Sequence, residues 1–286
     1  MRSYLAVQRE VDGRMSTLLR DAARDTAKRI TELMASPSYS SAVRRAQLQL
    51  VLRETYAELD SMFGGMNREI SRGLKAATKA AAEAETLLMR PYFDAAGAKP
   101  LGDGYLREQL KLGAQTARNL ESRLSNGISL SRQVYRTETL TKGWMEKVIN
   151  RALVRGASAK ELSKEVRGFI RPDVRGGVSY AANRLARTEI NNAFHTTQLR
   201  IHEDEPWVDG IRWNLSGSHP RHDKCNDYAE QVHYTGGEAG VFRNGAAPSK
   251  PHPQCLCYVT AELVDEGTFV SKLTGGKYDR YASRFA

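Results

Sequence analysis

Along the first hundred positions apolar residues recur in steps of three or four: Leu48, Leu52, Tyr56, Leu59, Phe63, Met66, Ile70, Leu74, Ala77, Ala81, Ala84 and Leu88. That period is helical, and at about 1.5 Å per residue the stripe would run roughly 60 Å. A seam of this length calls for another helix. The stretch at 4–35 can supply it as an intramolecular hairpin; the alternative is a lever or coiled coil that docks on a larger assembly, with Phe63 and Ile70 as contact residues. Gly64-Gly65 lowers helix propensity inside the stripe and predicts a kink or break, and Pro91 stands where the helix should be ending.

From Pro100 onward the pattern shortens. Leu140, Trp144 and Val148 share a helical face, Ser158 with Glu161 forms a capping box, and Leu162, Val166 and Phe169 make the next stripe. Asp173 to Gly177 reads as a loop, and a further helix begins near Ser179 and runs toward Ile201. At about 100° per residue, that helix carries Ala182, Ala186, Ile190, Ala193, Thr197 and Ile201 on one side, with Arg184, Thr188, Asn191 and His195 on the other. Glu189 falls on the apolar flank, between Leu185, Ala182 and Ala193. A carboxylate there should be buried and paired, as a structural clamp with an arginine such as Arg187 or with backbone N–H groups.

After Pro206 the alternation changes to two. Ile211, Trp213 and Leu215 alternate with polar residues, and Leu256, Tyr258 and Thr260 alternate with Cys257, Val259 and Ala261, so two short strands bracket a Gly-rich connection. The fold class is therefore α+β: a mainly helical first two thirds with one long helix, then a small β-containing domain. Boundaries are expected at 1–99, 100–205, 206–264 and 265–286, the last as a tail.

Charge sharpens this division. The net charge is +10, yet residues 201–286 hold 9 Lys and Arg against 12 Asp and Glu, so the basic excess belongs to the first 200 residues. Such an excess suits non-specific contact with DNA or an acidic protein surface, and equally suits Arg-rich solvated helix faces with no partner. No run of about 18 apolar residues and no signal-like N-terminus is present, so no membrane contact is expected and a cytoplasm is the default compartment.

All three cysteines and three of the six histidines fall in two short segments, SHPRHDKCNDY at Ser218 to Tyr228 and PHPQCLC at Pro251 to Cys257. Each segment lies at one end of a predicted strand, so pairing the strands brings them together. Cys225, His252, Cys255 and Cys257 would then form a closed, structural zinc site, with His219, His222 and Asp223 as surplus ligands or outer partners. The alternative is a set of buried free thiols beside surface histidines in a turn.

The run RLARTEINNAF, the Trp-containing strand after it, the spacing of His219, Asp223 and Cys225, and the terminal P-H-P-x-C-x-C together resemble the phage head morphogenesis family, the Mu-type minor head proteins of tailed bacteriophages. The resemblance covers roughly residues 130–262 and leaves out the N-terminal helices. Many members carry C-x-x-C where this chain has Cys225 alone. The resemblance implies a non-enzymatic minor capsid protein of the virion, made in the bacterial host cytoplasm. It would act at the portal or the capsid interior during procapsid assembly and touch packaged DNA. The competing reading is a metal-dependent nuclease, in which the His/Asp cluster and basic surface act on phosphate.

Overall fold

The computed structural model describes residues 2–33, 41–122, 130–154, 158–170, 178–217, 219 and 221–285. It is mainly helical, with one small antiparallel sheet near the C-terminus, as the α+β pattern predicts. The elements run α1 (Arg2–Leu33), α2 (Ser41–Ala95), α3 (Lys99–Glu121), α4 (Leu130–Val154), α5 (Ala159–Ile170), α6 (Val178–His202), β1 (Val208–Asn214), α7 (Lys224–Glu230), β2 (Val241–Phe242), β3 (Tyr258–Leu263), α8 (Glu266–Thr274) and α9 (Asp279–Ala282). The predicted loop at 173–177 lies outside the described residues. No described helix is long and apolar enough to cross a membrane.

The contacts group these elements into two units, each built from separated stretches of chain. A sheet unit comprises Met1–Gln8, Gly73–Glu121 and Arg187–Ala286, and a helical unit comprises Arg9–Arg72 and Ser122–Ala186. The boundaries expected at 99, 205 and 264 are consecutive, whereas both units draw on separated stretches of chain.

In the helical unit α1 and α2 form an antiparallel hairpin. Arg14 Nε meets Glu69 at 2.8 Å and Arg29 meets Glu54 at 3.3 Å. Between those bridges a Cβ on Gly65 would stand 2.8 Å from Leu18 Cδ1, so the bare glycine lets the two helices close on each other. The expected break at Gly64-Gly65 is therefore absent: α2 is continuous, and the glycine answers to helix–helix approach, with packing outweighing its weak propensity. Pro91 does not end the helix either. The carbonyl it leaves without a partner belongs to Leu87, whose side chain is on the exposed face, and α2 runs on to Ala95 before Gly97 turns the chain at φ +65°.

Phe63 and Ile70 are 1% and 0% exposed. They belong to the interior of the hairpin with Met15, Leu19, Leu59 and Met66, which corrects their assignment as partner contacts. The capping box at α5 forms as read: Glu161 N donates to Ser158 Oγ at 3.2 Å and Ser158 N to the Glu161 carboxylate at 2.8 Å. Leu140 is exposed, and the buried line of α4 is Met145, Val148 and Ile149. Trp144 stacks on Phe169 with ring centroids 3.5 Å apart.

In the sheet unit β1 is the central strand, antiparallel to β2 on one side and to β3 on the other, with Trp213 opposite Val259 and Ile211 opposite both Phe242 and Ala261. An aromatic cluster fills the unit: Trp207 meets Phe93, Phe269, Tyr278 and Tyr281 edge-on at 5.0–5.9 Å. Residues 265–285 thus send Phe269, Leu273, Tyr278, Ala282 and Phe285 into the core rather than forming a tail. Gly104 on α3 confirms how closely they dock, since a Cβ there would lie 1.9 Å from the Phe285 carbonyl oxygen.

The side of α6 read as polar is covered in its second half, while Arg184 stays exposed and Thr188 half-buried. Asn191 and His195 are 4% and 2% exposed, and the loop before β3 reaches His195, with Pro248 O 2.9 Å from its Nε2. Glu189 is half-buried and Arg187 is exposed, so the burial expected of Glu189 is not complete. The innermost line of the helix is Ala186, Ile190 and Ala193, and Glu189 sits a step of about 100° off it.

Candidate metal centre

The two Cys/His segments meet at one end of the sheet, because β1 leads into the first and the second leads into β3. Asp223 caps α7: its carboxylate accepts from Cys225 N at 2.8 Å, and its own N–H donates to Asn226 Oδ1 at 3.1 Å. That box fixes Cys225 in the first helical turn, facing inward.

On the other segment, Gln254 is the one described non-glycine residue with positive φ, at +58°. Its left-handed turn folds Pro251 to Cys257 back so that Cys255 and Cys257 both face the interior. The Gln254 N–H donates to Thr188 Oγ1 at 3.1 Å, tying this loop to α6.

All three thiols are buried and their sulfur atoms lie within 4.8 Å of one another. Cys225 Sγ and Cys255 Sγ are 3.4 Å apart. A disulfide needs about 2.05 Å, whereas thiolates around one tetrahedral zinc, with bonds of about 2.3 Å, stand roughly 3.8 Å apart. The spacing excludes a disulfide between Cys225 and Cys255 and is slightly shorter than that of thiolates sharing one metal ion.

His252 Nε2 lies 3.4 Å from Cys225 Sγ and 3.1 Å from Asp223 Oδ2. His219 approaches from the other side, with Nδ1 3.7 Å from Cys257 Sγ. Its Nε2 faces Asn226 Oδ1 at 2.8 Å; that oxygen only accepts, so Nε2 carries the hydrogen and Nδ1 presents a bare lone pair. His222 belongs to neither set: it is exposed and points toward Glu230 at 3.9 Å.

The three thiols share charge unequally. Burial pushes Cys225 up to about 12. Cys255 is pushed well above the usual thiol range by its hydrogen bond to Cys257 and by burial. Cys257 is pulled down to about 5, because it accepts from Cys255 and from the Ser216 N–H. A divalent cation would replace the retained protons and leave three thiolates. The donor set of three sulfurs with imidazole nitrogen suits zinc, and is too soft for magnesium or calcium.

Three contributors escaped the sequence reading. Thr188 braces the loop. Asn226 orients His219, and the Asp223-x-x-Asn226 spacing was the capping signal that could have shown it. Lys250 donates to the Cys257 carbonyl and, at 3.4 Å, to that of Cys255, so a half-buried ammonium faces the backbone of both cysteines; burial lowers its pKa.

Comparison of the chain with protein-family models, with curated proteins and with solved structures found no match.

Proposed function

We propose that this chain is a non-enzymatic minor head protein of a tailed bacteriophage, located in the virion at the portal vertex or head interior. One structural zinc, held by Cys225, Cys255, Cys257 and His252, stiffens its sheet unit. The observation that carries the metal assignment is the convergence of three buried thiols from segments about thirty residues apart, beside two histidines. In a closed site of this kind zinc supplies folding free energy rather than an activated water. The phage assignment is supported by the motif resemblance, whose two most specific parts, Arg187-Thr188-Glu189 and the terminal Cys-rich run, are in contact through Thr188 and Gln254.

The nuclease reading finds little support. Among the described residues, the clusters that could hold a metal contain one carboxylate, Asp223, where two-metal phosphoryl chemistry draws on several oxygen ligands. With Phe63 and Ile70 withdrawn into the interior, contact with the portal and capsid interior falls to exposed positions, and the basic excess of the first 200 residues supports weak, sequence-independent contact with DNA.

Elemental analysis of protein purified without added metal tests the site, with one zinc per chain expected. Co-expression with the portal protein of the same phage tests the role: co-purification is expected, and its failure together with divalent-metal cleavage of plasmid DNA would replace this reading by the nuclease.

A further inference from the structure

The net charge of +10 is not shared between the two units. The sheet unit balances 19 Lys and Arg against 19 Asp and Glu, so the whole excess belongs to the helical unit. Most of it falls in residues 122–186, with 13 Lys and Arg against 5 Asp and Glu.

In α5 the two signs are separated by rotation. Leu162, Val166 and Ile170 are buried and set the inner face. At about 100° per residue, Lys160, Lys164 and Arg167 lie together about 130° from that line, and Glu161 and Glu165 take the third side. The cations therefore form an outward row, with axial steps of about 6 and 4.5 Å. All three are exposed, and none has an ion pair or hydrogen bond among the described residues. Lys147 and Arg151, one turn apart on α4, are exposed and unpaired in the same way. The nearby acids are engaged: Glu161 holds the cap at Ser158, and Glu165 is half-buried. Other cations of the helical unit do reach carboxylates, Arg14 at Glu69, Arg29 at Glu54 and Lys142 at Glu138.

A row of like charge without counter-charges repels itself, and a polyanion relieves it. A lipid surface would need the apolar face of α5, which is turned inward. A protein interface is built around a dry, apolar centre, and the row contains no apolar side chain. A phosphate backbone requires only positive charge, and its binding is driven by counterion release. We propose that the outer face of α5 is the DNA-binding surface of this chain, where Lys160, Lys164 and Arg167 neutralise phosphates of duplex DNA and read no base. Lys147 and Arg151 of α4 are additional contacts on the same hairpin. The inference rests on the DNA contact proposed above and gives it a location.

The test titrates the full chain with a labelled duplex of about 30 base pairs, between about 50 and 200 mM salt. One variant carries Lys160→Gln, Lys164→Gln and Arg167→Gln. A control carries Lys28→Gln, Lys79→Gln and Lys111→Gln, which removes the same charge from exposed lysines that face carboxylates. The α5 variant should bind about tenfold more weakly or worse at the lower salt, with the slope of log affinity against log salt shallower by about 2.7, the counterions of three phosphates. The control should stay within about threefold of the parent and keep its slope. In the unmutated protein, bound duplex should shield Lys160 and Lys164 from an amine-reactive reagent and leave Lys28, Lys79 and Lys111 open to it. Equal weakening of both variants, or no shielding of Lys160 and Lys164, would overturn the location while leaving the DNA contact standing. No DNA binding by the parent would remove both, and loss of portal capture in the α5 variant would then assign the row to an acidic protein.

Discussion

The backbone N–H of Gln254 donates to the hydroxyl of Thr188 across 66 positions of sequence, at 3.1 Å. The bond joins the middle of α6 to a left-handed residue, so it restrains the one turn that aims Cys255 and Cys257 inward. Thr188→Ala should lower stability by about 1 kcal/mol, the net contribution of one hydrogen bond, and Thr188→Ser should restore most of it. Urea unfolding of the three proteins, with hydrogen exchange at the Gln254 amide, measures both effects.

Removal of zinc should destabilise the sheet unit. A chelator should lower the melting temperature and expose all three thiols to a thiol reagent, while Cys255→Ser protein should carry no zinc and melt at the chelated value. Unchanged melting on both treatments would make the thiols a packing cluster.

His202 stands between two buried carboxylates. Its Nδ1 is 2.9 Å from Glu205 Oε2, its Nε2 lies 3.3 Å from Glu85 Oε2 outside hydrogen-bond angles, and Tyr105 donates its hydroxyl to Glu205. Burial alone would lower the His202 pKa, but the charge of Glu85, the hydrogen bond to Glu205 and the Glu205 charge raise it to about 10. The stabilisation this supplies is fully present below the ordinary value of 6.5 and is lost as pH rises toward about 10. Glu85 behaves oppositely: burial pushes it up, His202 more than offsets that, and its stabilisation is lost as pH falls below the ordinary value of 4.5. Thermal melts across pH should therefore show an alkaline decline that His202→Gln flattens. The same variant should cost about 3–5 kcal/mol near neutrality, because it leaves two buried carboxylates without their cation.

Gly104→Ala should dislodge the C-terminal segment. Its new Cβ would occupy the place of the Phe285 carbonyl oxygen, a backbone atom with no rotamer to escape into. A loss of about 3 kcal/mol is expected, at the upper end for overpacking. Limited proteolysis should then cut within residues 265–285 of the variant and spare them in the parent protein.

The elements were legible where one period governs. Steps of three and four placed α1, α2 and α6, and alternation with two turn-rich flanks placed β1 and β3. The cysteine segments could be brought together from strand order alone. What failed were readings that depend on what a face packs against: Gly65 looked like a break and is a close approach, Phe63 was offered as a partner contact and lies inside the hairpin, and Asn191 fell on the polar side of α6 and is buried. Those depend on contacts over long sequence separation, which periodicity does not encode. Thr188 and Lys250 were missed for a related reason, since a hydroxyl and an amine acquire their role from the backbone group they reach.

The docking of Phe285 against Gly104 has a consequence for how the protein is made. Every stretch of the helical unit precedes residue 187, so a growing chain holds all of that unit before residues 187–286 are made. The sheet unit must wait, because its aromatic interior draws on Phe93 and Tyr105 early and on Phe269, Tyr278 and Phe285 at the last. Until those final rings arrive, Trp207 and the three thiols have no complete interior to enter, and vectorial synthesis leaves the early half of that unit exposed to chaperones and oxidants longest.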